Sequence, residues 1–335
     1  MSETTTLPTK ATISTYACGG GGINIVSAML KDLGDVPGHA ILRPVYVDTS
    51  YSNMDLVTDE NQIFFIKPAE EGNNLTEGSG QIRATNDQRI REELPRLFKQ
   101  HPPEQLSIIV TTLGGGTGST AAPHIAREIL SRGLDVIVIG IGIETSGRTA
   151  DNTYKTVKGF DRFSKLTKRT IPFCYSYVNS ETSRSVADKN CQFLISAIAV
   201  LASRQHKELD IRDVSNFLNF ERPTGFEPQL ALLKIFTDAS EVPRLAPEAI
   251  SQAAVLRDVD QPTPELFTNY HPIGYHRPGV DIHNLYYTIE TEDLRPLQQR
   301  LKAMVSHADE VKASHRDGPS FADDDDIVSE TGLIL

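Results

Sequence analysis

The sequence predicts an α/β protein with a parallel-sheet nucleotide-binding domain, a long buried central helix, a smaller mixed α/β domain and an acidic C-terminal tail. Three observations predict it. Short β-branched apolar runs alternate with longer amphipathic stretches through about the first 180 residues, and that alternation implies crossover units and a mostly parallel sheet. Two glycine clusters, Gly19-Gly20-Gly21-Gly22 and Gly114-Gly115-Gly116-Thr117-Gly118-Ser119, stand directly after two of the apolar runs. A later stretch, FLISAIAVLA at 193–202, is apolar on nearly every face, so a helix carrying it must be buried.

In chain order, strands are expected at 12–17, 41–47, 62–66, 106–112, 136–143 and 173–178, where Val, Ile, Thr, Tyr and Phe dominate. Helices are expected between them at 24–33, 87–99, 120–131 and 151–166, where apolar residues recur at helical spacing. This first domain, 1–184, should hold its ligand at the carboxyl ends of the strands, where the glycines lie. The central helix is expected at 185–206, with another helix starting near Asp210. Beyond Glu221 the prolines Pro223, Pro228, Pro243, Pro247, Pro262, Pro264, Pro272 and Pro278 break the chain into short pieces. Strands at 230–236 and 285–289 and helices at 247–256 and 293–307 would make a smaller domain, within 207–310, packed on the central helix.

The remainder, 311–335, reads as a mobile tail. Residues 318–335 contain no Lys or Arg, while Asp323, Asp324, Asp325, Asp326 and Glu330 supply five negative charges. Such a segment buries too little apolar surface to offset its chain entropy. It is either a solubilising tail or a docking segment for a basic groove on a partner.

Charge excludes some functions. With 33 Lys+Arg against 44 Asp+Glu the formal net charge is −11, which does not supply the basic surface a general nucleic-acid binder needs. The longest apolar run is about ten residues, too short to cross a bilayer, and the N-terminus lacks a basic start followed by an apolar core. Neither export nor membrane insertion is expected. Cys18, Cys174 and Cys191 form no CxxC pair, which fits a reducing cytoplasm and suggests no metal site.

The glycine clusters carry the chemistry. Glycine leaves backbone N–H groups unobstructed, and a following helix N-terminus adds partial positive charge, so each cluster is a ready anion cradle. Two of them on one sheet edge can clasp a di- or triphosphate. No GxxxxGK[ST] occurs, so a Walker-type P-loop is excluded. Gly19-x-Gly21-x-x-Asn24 lacks the third glycine of the dinucleotide fingerprint, and Asp48 comes late for its acid, which leaves an NAD-dependent oxidoreductase as an alternative of a different class.

The run Gly114-Gly115-Gly116-Thr117-Gly118-Ser119 is similar to the signature of the tubulin/FtsZ GTPases, and the resemblance covers roughly residues 11–310. It implies GTP or GDP as ligand, with magnesium. Gly19–Gly22 and Asn24 resemble the family's first nucleotide loop, Asp48 the loop approaching magnesium and phosphates, and Gly80 the loop that senses the terminal phosphate. Glu144, Arg148 and Asn152 resemble the ribose-contacting loop and the helix after it. Asn179 and Asp188 match the residues that read guanine, and a carboxylate accepting two donors selects guanine over adenine.

Asp210 and Asp213 match the two acids of the family's catalytic loop, with Glu208 where the family usually has asparagine. Read locally, they are a helix N-cap and its third helical residue. The resemblance implies that they act in the site of the next subunit, in a head-to-tail homopolymer that alone completes hydrolysis. A compact chain with a short acidic tail looks most like the phage-encoded tubulins, the PhuZ group, whose tails dock on a neighbouring subunit. That implies a phage spindle positioning phage DNA in the host bacterial cytoplasm, without direct nucleic-acid or membrane binding. An FtsZ-like bacterial division protein is the neighbouring alternative.

Overall fold

The computed structural model describes residues 9–33, 36–67, 70–71, 74–75, 78–242, 249–256, 259–260, 268–277, 283–290 and 294–316. Of the tail expected at 311–335, residues 311–316 are helical, the last turns of a helix that runs on past its expected end at 307, and the rest lies outside the described residues, as do Pro247 and Asp293, where two helices were expected to begin.

The nucleotide-binding half follows the alternation of the sequence. Strand β1 (Thr12–Cys18) leads into α1 (Gly19–Leu33), then β2 (Ile41–Asp48) and β3 (Ile63–Phe65). A two-residue hairpin, β4 (Glu70–Glu71) with β5 (Asn74–Leu75), precedes α2 (Asp87–Gln100). Three further repeats follow: β6 (Leu106–Thr112) and α3 (Thr117–Ser131), β7 (Asp135–Ile143) and α4 (Gly147–Thr167), then β8 (Ile171–Val178) and α5 (Arg184–Leu201). Strands β3-β2-β1-β6-β7-β8 are neighbours in that order and all parallel. Parallel strands are covered on both faces, which is why β1 and β6 are apolar without alternation.

Two apolar layers sit on the two faces. Ile13 and Ala17 of β1, Ile108 and Val110 of β6, and Ile137, Ile139 and Ile141 of β7 pack with α1 and α5. Their neighbours Tyr16 and Cys18, Ile109, Val136 and Val138 pack with α2, α3 and Phe160 of α4. The second half of α5 is buried all round, from Ala197 to Leu201. Its flanks are held from both sides, since the Tyr287 hydroxyl donates to Ala197 O at 2.7 Å and Ala40 N donates to Ala199 O at 2.8 Å.

The second half is less regular. After α5 come β9 (His206–Lys207), α6 (Ile211–Leu218), the four-residue α7 (Glu221–Thr224) and β10 (Leu230–Phe236). Then follow β11 (Ala249–Leu256), β12 (Ile273–His276), β13 (Leu285–Glu290) and α8 (Leu294–Arg316), which packs on α4. Among the described residues the sheet is continuous, running on from β8 through β10-β13-β11-β12-β9 to eleven strands. The joint is the parallel pairing of β10 with β8, Leu230↔Ile171, Ala231↔Pro172 and Leu232↔Phe173.

Four local expectations change. The stretch 249–256, expected to be helical, is strand β11 between β13 and β12. Its alanines suit a helix, but Ala253 and Val255 enter one apolar layer and Ala254 another, the two-residue period of a strand. Helix α1 begins at Gly19, five residues earlier than expected, because the glycines form its first turn directly after β1. The central helix ends at Leu201; Arg204 and Glu208 have positive φ, 63° and 61°, and the chain turns between them into β9. Strands β4, β5, β9 and β12 and the short helix α7 were not anticipated.

Candidate nucleotide-binding site

The carboxyl ends of β1, β2, β6, β7 and β8 form one edge of the sheet, with Cys18 level with Val47 and Thr111 and Ile143 level with Val178. Both glycine turns emerge there and touch. Gly19 has φ +71°, and a Cβ on it would lie 2.8 Å from Gly118 N. A Cβ on Gly118 would lie 2.5 Å from Cys18 O and 2.6 Å from Thr111 Oγ1. The two turns approach as closely as backbones can, and only glycine fits either position.

Carbonyls of the second turn are held by hydroxyls of its own helix. Ser119 Oγ donates to Gly115 O at 2.6 Å and Gly116 O at 3.0 Å, and Thr120 Oγ1 donates to Gly116 O at 3.0 Å. Asn152 Nδ2 donates to Gln81 O at 2.9 Å and Gly114 O at 3.1 Å. Expected as a ligand contact, Asn152 is a buried brace for two loops. With these carbonyls occupied, the N–H groups at the start of α3 are the polar groups left for an anion.

Two more loops converge on Thr117. The hydroxyls of Thr49 and Thr117 are 2.6 Å apart, and Thr117 Oγ1 donates to Ser79 Oγ at 3.4 Å. Asp48 is buried beside them, accepting from Thr49 N at 2.7 Å, and burial raises its carboxyl to about 6. A carboxylate so placed gains from a cation. Among the described residues no group of three His, Cys, Asp or Glu could hold a metal unaided. Asp48 is the carboxylate that would hold a cation brought in by phosphates here. Gly80, in the same loop as Ser79, is exposed with φ +53°.

Asn24 Oδ1 is a buried acceptor with no hydrogen-bond partner, which suits a hydroxyl or amine donor from a ligand. At the end of β8, Asn179 Oδ1 accepts from Glu181 N at 2.9 Å and Thr182 N at 2.8 Å. Its carbonyl closes an Asx turn, leaving the NH₂ as a donor. Asp188 lies in the second turn of α5, 3.7 Å from Arg184, and burial raises its carboxyl despite that arginine.

One expected ligand, Glu144, has partners of its own. Glu144 is buried and accepts from the Tyr175 hydroxyl at 2.6 Å and from Arg300 of α8 at 2.9 Å. Both bonds fall on Oε1, so the expected ribose acid is tied to α8 through one oxygen and keeps Oε2 as an acceptor. Arg148 is exposed in the first turn of α4, whose rotation is set by the Ser146–Thr149 capping box. It lines a cleft of about 830 Å³ with Arg83, Asp87, Arg91 and Lys155, between α2, α3 and α4.

Asp210 and Asp213 lie on the opposite edge. The groove beside them is lined by Ala11 and Thr12 before and at the start of β1, by Leu106 of β6 and by Asp135 of β7, all at the amino ends of strands. Between the half-sites stands α5, whose 18 residues span about 27 Å. Asp210 Oδ1 accepts from Arg212 N at 2.7 Å and Asp213 N at 2.9 Å, while Asp213 Oδ2 accepts from Asp210 N at 3.2 Å. Both acids are thus a capping box and, at the same time, exposed or half-exposed groups on the lower face.

Residues 12–179 match the sequence profile of the Tubulin/FtsZ family, GTPase domain. The chain belongs to the tubulin/FtsZ family. A phage tubulin-like protein of Pseudomonas phage phiKZ is 24% identical over 328 residues, covering 96% of this chain and 97% of the relative. That of Pseudomonas phage PhiPA3 is 28% identical over 254 residues, covering 75% of each. Among solved structures, a protofilament of TubZ from bacteriophage PhiKZ superposes with a TM-score of 0.81 at 23% identity, covering 97% of this chain and 99% of the other. The phage tubulin PhuZ with GDP gives 0.82 at 21% identity, with the same coverage. This family member has a tubulin fold built on a large, mostly parallel sheet, and its GTPase domain carries both glycine turns. No described helix is long and apolar enough to cross a membrane.

Thr49 and Ser79 stand beside Asp48 and Gly80 in sequence but were not singled out there; their contacts to Thr117 make them members of the same cluster. Arg300 gave no signal, because its partner is 156 residues away.

Proposed function

We propose that this chain binds GTP with magnesium across the glycine turns, polymerises head to tail, and hydrolyses GTP where Asp210 and Asp213 of one subunit meet the nucleotide of the next. The observation that carries this reading is the separation of the two half-sites by the length of α5. No acid at the amino edge reaches a nucleotide at the carboxyl edge of its own subunit. A second copy stacked on the first brings them together, and such a heterologous contact repeats without closing, which gives a filament.

In this reading Gly19–Gly22, Gly114–Gly116, Thr117, Gly118 and Ser119 cradle the phosphates, with Gly80 and Asp48 at their outer end. Magnesium supplies neutralisation of phosphate charge there. Asn24 meets the nucleoside, and Asn179 and Asp188 read guanine. The acids of the next subunit orient the attacking water, and loss of the terminal phosphate frees the loops it ordered. Likeness to proteins of Pseudomonas phages over nearly the whole chain favours a phage spindle that positions phage DNA. The cleft lined by Arg83, Asp87, Arg91, Arg148 and Lys155, where Arg91 pairs with Asp87 and Lys155 with Asp151, is the proposed landing site for the acidic tail of a neighbouring subunit.

The test is right-angle light scattering with parallel phosphate release after adding GTP, GDP or ATP with magnesium over a range of protein concentrations. Scattering only with GTP above a threshold, with phosphate release switching on at the same threshold, is the expected result. Phosphate release proportional to protein at all concentrations would overturn the shared site. Deleting 318–335 should raise the threshold; an unchanged threshold returns the tail to a solubilising role.

A further inference from the structure

Helix α6, which carries the two acids, is fixed from both halves of the molecule. On the nucleotide-binding side, buried Asp135 at the start of β7 accepts from Ser215 Oγ and Asn219 Nδ2, each at 2.8 Å. On the other side, Ser251 of β11 donates to Phe217 O at 3.1 Å. The backbone at Ser251 also bridges to Tyr270, whose ring packs on the main apolar layer. From that anchored ring the hydroxyl donates to Asp213 Oδ1 at 3.1 Å. Asn216, one turn further along α6, bonds the same hydroxyl.

We infer that Tyr270 is a positioning residue for hydrolysis, setting the plane of the Asp213 carboxylate; the inference rests on the proposed role of Asp213. A carboxylate turns easily about its terminal torsion, because that torsion has broad minima. At Asp213 each oxygen has its own donor: Asp210 N on Oδ2 and the Tyr270 hydroxyl on Oδ1. The two donors come from distant parts of the chain and pin the group from opposite ends. The lone pairs left over then point in one direction before any neighbour arrives. An orienting group fixed in advance lowers the barrier more than one that must be ordered during the reaction. Asp210 differs: one oxygen takes both backbone donors, and its orientation is set by the helix start alone.

The experiment is a double-mutant cycle in the full chain with Tyr270→Phe, Asp213→Asn and both, measuring phosphate release per subunit in sedimented polymer at saturating GTP. Normalising to polymer removes any loss of folded protein from the comparison. Tyr270→Phe keeps the ring, so the threshold for assembly should stay within about twofold, while turnover per polymerised subunit falls about tenfold. In the Asp213→Asn background the same change should have no further effect. Wild-type turnover in Tyr270→Phe, with Asp213→Asn impaired, overturns the positioning role alone. An equal fold-loss in both backgrounds also overturns it, because the tyrosine would then act on structure rather than through Asp213. Wild-type turnover in Asp213→Asn sinks the catalytic reading itself.

Discussion

Glu144 and Arg300 form an ion pair at 2.9 Å that ties the loop before α4 to the C-terminal helix α8. The carboxylate is buried while the guanidinium is half exposed and also lies over the Tyr177 ring. Removing the arginine leaves a buried acid with only the Tyr175 hydroxyl. Arg300→Ala should therefore destabilise the fold by about 2 kcal/mol, read from urea unfolding. Tyr175→Phe should cost less, and the two changes should not add, since both act on one carboxylate.

Asp48 gives stability a particular pH dependence. Its carboxyl rises from the ordinary 3.8 to about 6 by burial. Between those values the folded chain holds a proton that the unfolded chain has released, so this group's contribution falls as pH rises through the window. The loss is about 3 kcal/mol above the window relative to below it. Asp48→Asn should flatten the stability curve between about pH 4 and pH 6 and weaken magnesium-dependent GTP binding. Urea unfolding across pH and titration with a fluorescent GTP analogue check the two halves.

Gly118→Ala tests the contact between the two turns. The added methyl meets Cys18 O and Thr111 Oγ1, and neither strand end can retreat without leaving the sheet. GTP affinity should drop by roughly tenfold or more. Unchanged affinity would show that the turns separate more readily than their packing implies.

Glu208 occupies the left-handed region at φ 61°. Asparagine adopts that conformation more readily than glutamate, which gives a physical reason for the asparagine usual in the family. Glu208→Asn should raise stability by about 0.5–1 kcal/mol without loss of assembly. Thermal unfolding with a parallel scattering assay measures both.

On the proposed mechanism, Asp213→Ala should leave GTP binding and assembly intact, slow turnover and give persistent filaments, because it would remove water orientation but no contact to the subunit's own nucleotide. It also removes half of the capping box, so a loss of about 1 kcal/mol should accompany it. Filaments of the variant that hydrolyse GTP at the normal rate refute the assignment.

Much of this molecule was legible in its sequence where local pattern and tertiary structure agree. The parallel strands show as apolar runs because both faces are covered, and the glycine turns because no other residue permits their approach. The pattern misled at 249–256, where small residues chosen to pack between β12 and β13 have the composition of a helix. It also gave no sign of the partner of Glu144, since motif position says nothing of Arg300 arriving from far along the chain. Tyr270 was silent for the same reason: its importance lies in one hydroxyl meeting Asp213, 57 residues away in sequence.

The joint between β8 and β10 spans three residue pairs, and one member is Pro172, which has no N–H to give. Neighbouring strands in the nucleotide-binding half, such as β6 and β7, pair over seven. The sheet is thus widely paired across the middle of the nucleotide-binding half and narrow where the two halves join. Were such subunits stacked head to tail as proposed, a load along the string would act on that joint in each of them, and bending would be shared by every monomer rather than opened at the contacts between monomers.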